Sequence, residues 1–285
     1  MPTLPNFAYL ASFALALCHF SASGQVVPAG PGAAPAASDG ARDEKPAPVP
    51  ALDVVPASGT SARVEGDPAV RATLNKEGHY EIAGTQFRQS APLPDGYPAP
   101  TPPGMMEIKS YPSVRRAEID SRGPAGLAMN ASFFPLFNHI KGRGIPMTAP
   151  VEVDIVRDAD AKATQLPQDG TGKWKMSFLY RTAKLGETGK DGKVVVADAK
   201  PVTVISCAID TWFTEKAAQG ALDRIEKWMD AQTRWEIAGQ PRALNYSGPG
   251  DMPWTEIQIP VRLRAAAPEV PPAQTPAEAP AKPAK

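Results

Sequence analysis

Cysteine is the scarcest chemistry in this chain: 285 residues carry two, Cys18 and Cys207. Cys18 lies in an N-terminal apolar run. Removal of that run leaves Cys207 alone and excludes an intramolecular disulfide. One cysteine cannot build a Cys-rich zinc set either. Cys207 sits in the strand-like "VTVISCAID" and fits a small buried apolar residue. Charge of one sign is also missing. There are 30 basic and 30 acidic residues and a net charge of zero. No Lys/Arg run or basic face stands out, which argues against a nucleic-acid partner. Catalytic signatures are missing as well: there is no Gly-x-Ser-x-Gly, no His-Glu-x-x-His, no phosphate-binding loop and no Gly-rich dinucleotide turn.

The N-terminal apolar stretch, Phe7 to Phe20, is shorter than the roughly 20 residues of a membrane span. It suits the apolar region of a signal peptide, with small residues following from Ser21 to Gly24. Residues 1–24 are therefore expected to be a signal peptide and the protein to be exported, periplasmic or secreted. A retained segment would instead act as a membrane tether.

Proline is abundant: 33 residues, clustered. Residues 25–60 and 265–285 are Pro/Ala-rich with few large apolar side chains, so both are expected to be disordered. Residues 61–104 form an extended lead-in, with "HYEIAGTQFRQ" as a short strand or hairpin. Residues 105–264 remain, a normal size for one domain.

Within that domain "MMEIKSYPSVRRAEID" is a strand with a Tyr-Pro break. A helix follows, its stripe made by Phe133, Leu136, Phe137 and Ile140. Asn130 or Ser132 is the expected cap, Pro135 falls in the first turn, and Gly142 stops it. Strands are expected at "PMTAPVEVDIVRD", "KWKMSFLYRTA" and "KPVTVISCAID". A second helix carries Ala218, Ala221, Leu222, Ile225, Trp228 and Met229 on one face, capped by Thr214. "RWEIAGQPRALNYSG", broken near Gly239, and "PWTEIQIPVRLR" are the last strands. The order is a duplicated βαββ unit, hence an α+β fold with helices on an antiparallel sheet. Glu152, Asp154 and Glu256 alternate with apolar residues and are expected to face water.

"GRGIPMTAPVEVDIV" is the most specific stretch. Pro146 and Pro150 lack a donor and push Ile145 and Ala149 toward extended geometry, which stiffens the strand entry around Met147 and Thr148. Met147 is either core or a soft apolar contact for a ligand. Together with "MEIKSYP", "FFPLFNHIKG", "KMSFLYR" and "WTEIQIPV", it resembles the SOUL haem-binding protein family across about Met105 to Val261. The resemblance implies a distorted antiparallel β-barrel with two flanking helices. It implies non-covalent binding of haem or another tetrapyrrole, and no catalysis. The candidate ligand contacts are His139, Lys141, Arg143 and Met147. His139 is the candidate iron ligand, or else an ordinary surface histidine. Lys141 and Arg143 would meet propionates, or simply favour a helix C-terminus. Binding or hydrolysis of a different hydrophobic small molecule is the alternative, with Glu256 and Glu152 the carboxylates to test.

Overall fold

The computed structural model describes residues 54–157, 162–167 and 172–265. The expected signal peptide, most of the 25–60 linker and nearly all of the 265–285 tail lie outside the described residues. The elements in chain order are β1 (Ser61–Glu65), β2 (Ala72–Leu74), β3 (Tyr80–Ile82), β4 (Met106–Tyr111), β5 (Val114–Arg122), α1 (Ala125–Gly142), β6 (Val151–Val156) and β7 (Lys173–Leu179). They continue with β8 (Gly189–Asp191), β9 (Val194–Ala199), β10 (Val202–Ile209), α2 (Glu215–Asp230), β11 (Trp235–Ile237), β12 (Arg242–Asn245) and β13 (Thr255–Leu263).

The fold is α+β, with the expected βαββ order occurring twice. One antiparallel sheet runs β1-β4-β10-β13-β12-β6-β7-β5-β9-β8, with β11 beside β13. Two residues separate β4 from β5, and two separate β9 from β10. Tyr111 pairs Val202 and Val114 pairs Ala199, so the register runs unbroken past both gaps. Pro112 and Pro201 fall opposite each other there. Each lacks an N–H, and the ladder breaks where two donors are missing. Two long bent strands thus bind the halves of the sheet together and curl it. The ladder itself stays open, with β1 and β8 as its ends.

Alternation sorts the sheet residues onto two faces. Met106, Ile108, Ala117, Val153, Ile155, Trp174, Met176, Ile257 and Ile259 form one core with both helices. Lys109, Arg116, Glu152, Asp154, Arg242, Glu256 and Gln258 occupy the other face by the same alternation. Water does not reach most of it, because residues 79–104 cover it. Ile82, Tyr97, Tyr111, Leu244, Tyr246 and Trp254 form a second core under that cover. The 61–104 segment therefore does more than lead in: β1 joins the sheet on β4, and the β2–β3 hairpin carries residues toward the site described below.

Helix α2 follows its sequence. The Thr214 hydroxyl accepts from the Ala217 N–H at 3.1 Å, and the expected stripe is buried from Ala218 to Trp228, with Met229 partly buried at its end. Helix α1 differs from expectation. It starts at Ala125, without a side-chain cap, and Pro135 lies inside it. The proline is tolerated because Ala131, whose carbonyl loses its partner, is exposed to water. The helix also runs through Gly142. It ends in a pair of bonds from the Gly144 N–H to the Lys141 carbonyl (3.2 Å) and from the Ile145 N–H to the Ile140 carbonyl (2.9 Å). Gly144 takes the left-handed position, φ +64°, that such an ending requires.

Candidate ligand-binding site

The ending of α1 sets the residues after Gly144 along a wall. Ile145 to Ala149 line a cavity of about 660 Å³. Thr148 is turned inward, its hydroxyl donating to the Leu179 carbonyl at 2.6 Å. Met147, its neighbour, is only partly buried and packs against the core from the cavity side. The Ala149–Pro150 peptide bond is cis. The buried Gln89 side chain donates to the Ala149 carbonyl at 3.2 Å, and the Ala149 N–H donates to the Pro92 carbonyl at 3.2 Å. The lead-in is thereby fastened along the strand entry and forms the facing wall. Phe133, Phe137 and Ile140 of α1 form the apolar back, and the turn between β12 and β13 closes one side with Ser247 to Pro249.

The expected site residues separate. Met147 and Lys141 line the cavity; His139 and Arg143 do not. His139 is buried on the other flank of α1. Its Nδ1 donates to Asp191 Oδ2 at 2.7 Å, and its Nε2 is 2.9 Å from the Tyr180 hydroxyl. Both ring nitrogens are taken, so the ring has no lone pair to offer a metal. Arg143 pairs with the same Asp191 carboxylate at 2.8 Å. The His139 hydrogen bond and the Arg143 charge hold Asp191 below its ordinary range. These residues pin the β8–β9 hairpin to α1.

Lys141 has no ion-pair partner among the described residues; its ammonium sits 6.0 Å from the Phe137 ring centroid. Two further basic residues come from the lead-in. Arg88 lines the cavity while pairing with Glu77 at 2.6 Å. His79 lines it too, with Nδ1 2.8 Å from the Gln89 carbonyl. Asp251, the acid of the lining, accepts from the Gly248 N–H at 3.1 Å. Nothing in the stretch around His79 marks it as a cavity residue, because the cavity walls that it faces come from distant positions in the chain.

The covered face of the sheet carries the remaining charge. Lys109 and Glu256 are both fully buried and 2.8 Å apart. Glu256 also accepts from Ser206 Oγ (2.6 Å), Gln258 Nε2 (2.6 Å) and the Thr101 N–H (2.6 Å). Burial alone would raise its pKa, but Lys109 and these donors outweigh burial and hold it below the ordinary value. Glu152 lies between Arg116 (2.6 Å) and Arg242 (3.2 Å) and is likewise held low against burial. Asp154 behaves in the opposite way. Burial and the neighbouring Glu152 charge push it up to about 6, against the pull of the same arginines. The expectation that these carboxylates face water is therefore corrected for Glu152 and Glu256. Alternation predicted their common face; the cover over it is non-local.

No family model matches the chain, and no curated protein matches it. Among solved structures, the C-terminal domain of EcmrR aligns with a TM-score of 0.42 at 14% identity, over 55% of this chain and 96% of that one. A hydrolase from Listeria innocua aligns at 0.41 and 11% identity, over 57% and 94%. An integron cassette protein from Vibrio cholerae aligns at 0.30 and 13%, over 55% and 95%. At these scores the likenesses bear on neither ligand nor activity.

Proposed function

We propose that this chain is an exported, non-catalytic module that binds a tetrapyrrole, haem foremost, in the cavity between α1, the entry to β6 and the lead-in. The observation that carries the reading is the cavity itself. Its volume of about 660 Å³ falls within the usual range of small-molecule sites, roughly 300–1,000 Å³. Its walls are largely apolar, with charged side chains at Lys141, Arg88 and Asp251, which suits a flat amphipathic ring. The donor set fits haem: His79 and Met147 are residue types that hold haem iron. Lys141 offers an ammonium without an ion-pair partner among the described residues to a carboxylate side arm. The apolar run Phe7 to Phe20, followed by small residues, supports export. Glu256 and Glu152 are buried and bound on all sides, which favours binding over hydrolysis.

The test is a titration of the full chain with hemin, followed in the Soret band, beside an Ala91→Trp variant. Ala91 lines the cavity, and a tryptophan there fills it. Saturable one-to-one binding, lost in the variant, is expected. Equal binding by both proteins would remove the cavity from the account. Absence of saturable binding would remove tetrapyrroles and leave another apolar ligand of the same cavity to be screened.

A further inference from the structure

We propose that His79, not His139, is the residue that ligates iron when haem enters the cavity. The inference rests on the tetrapyrrole reading and adds the metal contact to it. A carbonyl oxygen can only accept, so the 2.8 Å contact between His79 Nδ1 and the Gln89 carbonyl fixes a proton on Nδ1. In the neutral ring the lone pair then sits on Nε2, which has no hydrogen-bond partner among the described residues. This is the arrangement of a metal-ligating histidine: one nitrogen is held by a backbone carbonyl, which orients the ring and sets its tautomer, and the other is free.

The mount of the ring is firm. The His79 N–H donates to Asn75 Oδ1 at 3.0 Å, and the Asn75 N–H donates to the His79 carbonyl at 2.9 Å. The next residue, Tyr80, donates its N–H to Gln89 Oε1 at 3.0 Å. Gln89 is fully buried, and its other amide atom holds Ala149 of the Met147 wall. One glutamine side chain thus joins the histidine turn to the strand entry across the cavity. A ring held this way keeps its place whether or not a ligand is present. His139 offers the contrast, since both of its nitrogens are engaged.

The experiment uses the full chain, its His79→Ala variant and its His139→Ala variant. Each is titrated with hemin and with metal-free protoporphyrin IX. Wild type and His139→Ala are expected to give the same hemin spectrum. His79→Ala is expected to lose that spectral form and at least about tenfold in hemin affinity, and to regain the form with added imidazole. Metal-free protoporphyrin is expected to bind all three proteins alike, which also shows that the His79→Ala cavity is intact. An unchanged hemin spectrum in His79→Ala overturns the ligand assignment while the cavity reading stands. A changed spectrum in His139→Ala transfers the assignment and overturns it equally. Failure of both macrocycles to bind wild type overturns the cavity reading and this inference with it.

Discussion

Replacing Lys109 by methionine strands the Glu256 carboxylate inside the protein. Both side chains are fully buried, and the lysine contacts both carboxylate oxygens, at 2.8 and 3.1 Å. Removing one member of such a pair costs about 3–5 kcal/mol, because the other charge stays desolvated. Ser206, Gln258 and Thr101 still donate to Glu256, which places Lys109→Met toward the lower end of that range. Glu256→Gln strands the ammonium instead and costs a similar amount. The double variant removes both charges and is expected to lose no more than the worse single variant. Urea unfolding of the four proteins, compared at constant m-value, measures this. The pH dependence gives a second sign. Without Lys109, burial is unopposed and lifts the folded pKa of Glu256 above its unfolded value. The deficit of Lys109→Met therefore shrinks as pH falls through that raised pKa. A loss below about 1 kcal/mol would be that of an exposed pair. It would mean that water reaches Glu256, and it would return that carboxylate to the list of catalytic candidates.

Three further outcomes are expected. Gly144→Ala is destabilising by about 1–2 kcal/mol, read from urea midpoints. The cause is φ +64° alone, since a Cβ there meets nothing within 4 Å. Asp154 titrates near pH 6 in carboxyl-carbon NMR, against an ordinary value of 3.8. Its raised folded pKa gives stability that is present below about pH 4 and is lost as pH rises through about 6, so wild type weakens relative to Asp154→Asn across that window. His139→Ala speeds amide exchange in the β8–β9 hairpin, which it anchors through Asp191, and leaves hemin binding unchanged.

The parts of the fold that depend on local pattern were legible in the sequence. Thr214 and the stripe from Ala218 to Trp228 define α2 without any tertiary information. The Tyr-Pro break marks the bend between β4 and β5. The start of α1 is not legible locally: Pro135 points to a first turn, whereas it sits inside the helix, tolerable because the carbonyl it frees meets water. Strand β9 is absent from the expected elements although "VVVADA" carries three successive β-branched residues; it lies between charged segments and pairs with β5, about 80 positions away. The candidate site was half legible. Met147 and Lys141 belong to a local stretch with a clear strand-entry signal. His79 reaches the cavity only because the lead-in folds back across the sheet, and nothing near it in the chain announces that. The same cover explains the carboxylates: alternation gave the correct face, but not its burial.

In the proposed complex the wall containing Met147 faces the ligand. Methionine-methyl NMR of the full chain with zinc protoporphyrin reads this, since the ring current of a diamagnetic macrocycle shifts most strongly the methyl groups packed over its face. The Met147 resonance is expected to move upfield on saturable binding, while Met106 and Met176, buried in the core, stay where they are. Saturable binding with Met147 unmoved would place the ligand elsewhere and contradict the account.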